Sequence, residues 1–346
     1  MSGHTAAVEA RRPRLFLHFA LMLATFLTTT ATGAMEAHGA REVSDWWRVF
    51  VPISDGLSYS VPLMAILLCH ELGHYVAARV HKVDASLPYF IPFLPGVGFG
   101  TLGAVIGMRN VTADRKKLFD IGAAGPLAGL VVAIPVMLYG LAHSPVGPLS
   151  PGGEQEGNSI LYALLKYATK RAWLPDGTRD VFLSPTAHAA WAGLLVTMIN
   201  LLPIGQLDGG HVATAYFGNR YNQIAPRLHR MLPFVAVGVA GWIFHVARME
   251  ASATGSVWVP RLGFEIALGA TMPWLIWYAL VAVLRRVSGG VNHPAVDDRP
   301  LPASRRALFW LMVLVFVGIF MPVPMRATYS GPRPGPARAT TAAVDP

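Results

Sequence analysis

Seven apolar stretches, near residues 15–35, 57–80, 118–142, 187–203, 231–247, 262–284 and 306–324, alternate with polar segments rich in Pro and Gly. A helix rises ~1.5 Å per residue and the hydrocarbon layer is ~30 Å thick, so each stretch reads as a crossing, the two of about 17 residues being marginal. The pattern predicts an all-α polytopic membrane protein with six to seven transmembrane helices. Residues 84–108 interrupt it: they are apolar, yet Pro88, Pro92, Pro95, Gly96, Gly98, Gly100 and Gly103 preclude a straight spanning helix. With Lys82 and Arg109 at its ends, this segment is expected to dip into the bilayer and return, as a re-entrant hairpin between the second and third helices. An interfacial loop is the alternative.

Basic residues sort the loops. A cytosolic N-terminus carrying Arg11, Arg12 and Arg14 puts Arg115, Lys116, Lys117, Arg220, Arg285, Arg286, Arg299 and Arg305 on the same side, while residues 36–56 and 248–261 are sparse in Lys and Arg. The first stretch ends in Ala31-Thr32-Gly33-Ala34, so a cleaved signal peptide is an alternative to a retained helix. Composition agrees with a membrane chain: 53% of residues are apolar and 14% charged. The net charge of +9 follows from the positive loops and does not call for nucleic acid. The single cysteine, Cys69, excludes an intramolecular disulfide and a Cys-rich zinc module, so a transition metal would use His, Asp or Glu.

The second stretch ends in His70-Glu71-Leu72-Gly73-His74. On a helix, residues four apart share a face, so His70 and His74 can offer imidazoles to one zinc ion with Glu71 beside them as a base. Two imidazoles and a carboxylate are costly at membrane depth, which argues for a use. A catalytic zinc takes three protein ligands, and Asp208 is the best third candidate. It lies in Asn200-Leu-Leu-Pro-Ile-Gly-Gln-Leu-Asp208-Gly-Gly-His211, after a stretch that enters from outside, and so at the depth of His74. Asp208 as a cap of the following helix is equally compatible with local sequence. His211 is expected to be structural or to support a ligand rather than to be a fourth one. Asn200, two turns before Asp208, can donate to a substrate or oxyanion, or simply stitch two helices. Asp120 is expected to cap the third helix or to support the site, and Gly122, Gly125 and Gly129 to allow close helix packing.

These segments resemble the site-2 proteases, intramembrane zinc metalloproteases that cut membrane-embedded parts of other proteins. The resemblance rests on three motifs: His70 through His74, Lys117 through Gly129, and Asn200 through Gly210, the last similar to the family's Asn-x-x-Pro-x-Pro-x-Leu-Asp-Gly. It covers about residues 57–217. It implies one Zn2+ per chain held by His70, His74 and Asp208, Glu71 as catalytic base, and a re-entrant β-hairpin whose later half adds a substrate strand. Gly205 stands where the family commonly has a second proline. The family's frequent inserted peptide-binding domain and nucleotide-binding tail are expected to be absent.

The expected organisation is a cytosolic segment 1–14, a single transmembrane metalloprotease domain 15–325 (core 57–217, hairpin 84–108, additional helices 229–325) and a disordered tail 326–346. The outer loop 143–186 is expected to be an ordinary solvated segment. The partners implied are the lipid bilayer and membrane-protein substrates with a transmembrane helix, in a bacterial plasma membrane with the site toward the cytosol. Two alternatives are a non-proteolytic zinc transporter or scaffold, and the membrane zinc proteases that trim lipidated C-termini. The latter take a glutamate as third ligand, and no suitable second glutamate motif follows Glu71.

Overall fold

The computed structural model describes residues 15–37, 53–108, 112–149, 154–287 and 293–332. The expected segment 1–14, Arg109, Asn110 and the tail from 333 lie outside them. Each of the seven apolar stretches coincides largely with a helix: α1 (Leu15–Ala37), α2 (Ile53–Val80), α3 (Arg115–Ala142), α5 (Pro185–Asn200), α7 (Tyr221–Ala253), α8 (Pro260–Val287) and α9 (Ala303–Ile319), with α5 and α9 ending three and five residues before their stretches do. Two shorter helices, α4 (Ile160–Lys170) and α6 (Asp208–Phe217), complete the set. Among the described residues four helical stretches are long and apolar enough to cross a membrane: Leu15–Ala37, Ser54–Val80, Arg115–Ala142 and Asp208–Ala253. The chain is a mostly helical membrane protein.

The all-α expectation needs one correction, because three small two-stranded sheets accompany the helices. The first, β1 (Tyr89–Pro92) with β2 (Thr101–Val105), is the antiparallel hairpin read from residues 84–108, in register Tyr89↔Val105 and Phe90↔Ala104. Gly96, Gly98 and Gly100 turn its tip at φ +74°, +61° and +72°, which side chains with a Cβ rarely adopt. Helix α1 holds the hairpin at both ends: Thr28 Oγ1 donates to the Gly100 carbonyl at the tip (2.7 Å), and His18 Nδ1 donates to the Pro88 carbonyl just before β1 (3.0 Å). A lipid-exposed hairpin would leave such backbone groups without partners.

The outer loop is not an ordinary solvated segment. β3 (Val146–Pro148) pairs with β5 (Arg179–Val181), and α4 starts at a Ser159 cap that accepts from the Tyr162 amide. Beneath them the fully buried Lys166 donates to Asp180 (3.1 Å) and Tyr162 donates to Glu156 (2.8 Å). A buried ion pair holds only when both partners are fixed, so these charges are part of a packed cap and not of its solvated rim. Residues 326–332, assigned above to a disordered tail, are ordered as well. β6 (Met325–Ala327) pairs with β4 (Glu154–Glu156), and Tyr329 is buried with its hydroxyl donating to the Val257 carbonyl (2.8 Å).

Asp120 does not cap α3. That place belongs to Asp114, whose carboxylate accepts from the amides of Lys116 (2.9 Å) and Lys117 (3.1 Å). Asp120 instead accepts from His81 Nε2 (3.0 Å) and from Arg305 Nε and Nη2 (3.0 and 3.1 Å), tying the ends of α2 and α9 to α3. The core formed by α2, α3 and α5 is packed around Leu63, Ile66, Phe119, Met137 and Trp191, all essentially inaccessible.

Candidate metal centre

Helix α2 is predominantly apolar, and it buries the polar trio in its fifth and sixth turns: His70, Glu71 and His74 are 3%, 5% and 5% exposed. They are buried because α3 runs against α2 without side chains in the way. A Cβ on Gly73 would run into the Ala124 carbonyl, one on Gly125 would overlap the His74 imidazole, and one on Gly129 would meet His70 at 3.2 Å. The glycine stripe therefore does more than permit helix packing: it is the floor on which both imidazoles lie.

Asp208 arrives from the other side. After α5 the chain turns through Leu201–Leu207, with Gly205 at φ +58°. Proline is held near φ −65°, so the family's second proline would require a different path here. Asp208 is the first residue of α6; Leu207 occupies the capping position, and no side-chain cap bond forms there. The cap alternative therefore fails. Its carboxylate turns to the histidines, Oδ2 lying 3.1 Å from His70 Nε2 and Oδ1 3.2 Å from His74 Nε2. The two Nε2 atoms are 3.2 Å apart.

These distances fit a tetrahedral metal. Bonds of ~2.0–2.1 Å at tetrahedral angles separate neighbouring ligand atoms by about 3.3 Å. The ligand atoms of His70, His74 and Asp208 all lie within 4.8 Å of one another, and His211 is not of that group. The tautomer agrees: His74 Nδ1 lies 2.8 Å from the Ile121 carbonyl, which only accepts, so the proton is on Nδ1 and Nε2 offers its lone pair. Two imidazole lone pairs and a carboxylate facing one point are a set that a small divalent cation completes.

A cavity of about 130 Å³ opens beside this cluster, lined by Glu71, His74, Asn200, Asp208 and His211 and, from the hairpin, by Ala104, Val105, Ile106 and Met108. β2 and the residues after it thus run along the mouth of the site. The Asn200 amide nitrogen lies 3.4 Å from His70 Nε2, which places its side chain at the cluster. Sequence reasoning missed the Ile121 carbonyl and His293, which meets His211 (2.9 Å). A backbone carbonyl carries no residue signature, and nothing in spacing links positions 82 residues apart.

Gly125→Ala tests the floor. The new methyl group forces the His74 ring off its bond to Ile121, and altering such an orienting contact typically costs ~10–100-fold in metal affinity. We expect a loss of that order by chelator competition, with helical circular dichroism unchanged; Gly129→Ala, whose methyl meets a looser contact, should lose less.

The profile of peptidase family M50 matches residues 58–240, which contain all the residues of this cluster. A relative named probable zinc metalloprotease EGY1, chloroplastic, from Oryza sativa subsp. japonica is 35% identical over 172 residues, 48% of this chain and 29% of that protein. Its namesake in Arabidopsis thaliana is 35% identical over 175 residues, 49% of this chain and 31% of that protein. Probable zinc metalloprotease EGY3, chloroplastic, from Oryza sativa subsp. indica is 26% identical over 281 residues, 77% of this chain and 41% of that protein. The aligned region therefore spans about a third of the length of the first two relatives. With the family profile covering more than half of its residues, the chain belongs to peptidase family M50.

Proposed function

We propose that this protein is an intramembrane zinc metalloprotease that hydrolyses peptide bonds within or near transmembrane segments of membrane-protein substrates. The observation that carries the proposal is the three-donor cluster, with His74 held as a lone-pair donor, packed beside Glu71 on a helix apolar enough to cross a membrane. His70, His74 and Asp208 would hold the zinc. The ion, when bound, acidifies water at its open position and polarises a carbonyl.

The rest is the work of the chain. Glu71 accepts the proton of the attacking water and returns it to the departing amine, a role for which it must face the cavity, as it does. Asn200 is assigned to donate its amide hydrogen to the substrate carbonyl as negative charge develops. The free edge of β2 accepts an unwound substrate segment as a further strand, which exposes a peptide bond that a helix would hide. The hairpin is re-entrant in this reading, shielded by α1, and the seven helices that coincide with apolar stretches are seven crossings. Residues 15–332 act as one domain with α1 retained, the expected boundary at 325 moving to include the partners of β4 and the buried Tyr329.

The site faces the basic side of the membrane. The bacterial plasma membrane expected above finds no support, since the relatives' names place them in chloroplasts. Nothing in the site favours transport over hydrolysis. The test is cleavage in proteoliposomes: zinc-loaded wild-type protein should cut a co-reconstituted single-span substrate within its apolar segment and leave a soluble control peptide largely intact. An intact membrane substrate with a fully cut soluble peptide would contradict the proposal.

A further inference from the structure

His211 lines the site cavity one turn beyond Asp208 but stands outside the three-donor cluster. Its partner comes from the loop between α8 and α9. His211 Nδ1 lies 2.9 Å from His293 Nε2, with the rings edge-on at 89°, and His293 Nδ1 lies 2.9 Å from the carbonyl of Pro294. Both residues are buried, at 7% and 2% exposure.

The protons in this chain of contacts are fixed from one end. A carbonyl can only accept, so His293 Nδ1 donates to Pro294. Burial pushes the His293 imidazole below its ordinary pKa, so it carries no second proton and its Nε2 is an acceptor. His211 Nδ1 must then donate to it. A second proton on His211 would put a cation next to the metal position, which leaves His211 Nε2 bare.

The loop that supplies this order is clamped in place. The Asn222 side chain donates to the His293 carbonyl (3.0 Å) and accepts from the His293 amide (2.9 Å). Asn219 makes the same pair of bonds with Val296 (3.0 and 3.0 Å), and Arg115 donates to the Arg299 carbonyl (3.1 Å). Such two-bond clamps set the register of the segment against the start of α7, where a solvated linker would drift.

We propose that His211 is a substrate-contacting residue, held by the Pro294–His293 relay in the Nδ1–H tautomer so that its Nε2 presents a hydrogen-bond acceptor for a peptide N–H of the substrate in the cavity. His293 is its positioning residue. The proposal rests on the peptidase assignment for its ligand, a peptide backbone, but the relay itself does not.

Histidine-15N NMR of the zinc-loaded full chain in detergent tests the relay, with His211 assigned by its loss in His211→Asn. Wild type should show His211 protonated on Nδ1 and bare on Nε2. His293→Gln keeps an acceptor for His211 and a donor for Pro294, so tautomer and kinetics should be preserved. His293→Leu should release the tautomer and raise KM for the membrane substrate roughly tenfold with a smaller change in kcat, the loss of about one hydrogen bond. Zinc near one per chain in each variant would show that the site is intact.

A His211 carrying its proton on Nε2 in wild type, or a His293→Leu variant unchanged in tautomer and KM, would overturn the proposal. Wild type with the expected tautomer but no cleavage would overturn the peptidase assignment and not the relay.

Discussion

Glu71→Gln is expected to bind zinc like wild type and to cleave the membrane substrate about 10³-fold more slowly, within the range for losing a general base. Glutamine fills the same space and keeps a polar oxygen, so the packing of α2 on α3 and the separations among His70, His74 and Asp208 are left alone. It cannot take a proton at neutral pH, and that function is what the substitution removes. Glu71 is buried at the cavity wall and does not belong to the donor cluster, which is why metal content and rate should separate. Zinc per chain by elemental mass spectrometry, beside the rate of product formation on gels, is the check. A Glu71→Gln protein that cuts at the wild-type rate would remove the assigned mechanism, and one that loses zinc would recast Glu71 as a ligand.

His74→Ala and Asp208→Ala should each abolish stoichiometric zinc binding. Each leaves two donors where a catalytic site needs three, so the loss should exceed the ~10–100-fold typical of disturbing an outer hydrogen bond. Asp208→Asn is the sharper variant because it keeps the shape and removes the charge. The Asp208 oxygens lie 3.1 and 3.2 Å from the two Nε2 atoms, so the amide would turn its NH₂ toward one of them and oppose the metal. Chelator competition gives the affinities, and circular dichroism distinguishes a lost ligand from a lost fold. Full zinc retention in Asp208→Ala would mean that another group, such as His211, completes the site.

Local chemistry made the site legible. His70 and His74 are four residues apart on one helix, and that spacing fixes their common face. Asp208 is reachable from the sequence because the expected topology puts the end of one inward stretch at the depth of another. The hairpin followed from Pro and Gly within an apolar segment, and the structure pairs Tyr89–Pro92 with Thr101–Val105 inside it. What escaped depends on partners distant along the chain. Glu156 and Asp180 look like solvated acids in the sequence because nothing in the local pattern pairs Asp180 with the buried Lys166 or Glu156 with Tyr162. Arg326 and Ala327 read as the start of a tail because their strand partners are Gln155 and Glu154, far back along the chain. Asp120 is misread as a cap because its partners are His81, in the turn after α2, and Arg305 on α9. The glycines of α3 signalled close packing, but only the structure shows that His74 lies against Gly125.

The central claim, that three side chains of this protein hold one zinc which is required for cleavage in a membrane, is tested most directly by titrating zinc into chelated wild-type protein in proteoliposomes while following substrate cleavage. The account predicts no cleavage without metal, and a rate that rises with added zinc and levels off at one equivalent per chain. Undiminished cleavage in the metal-free protein, or a folded protein that takes up no zinc, would contradict it.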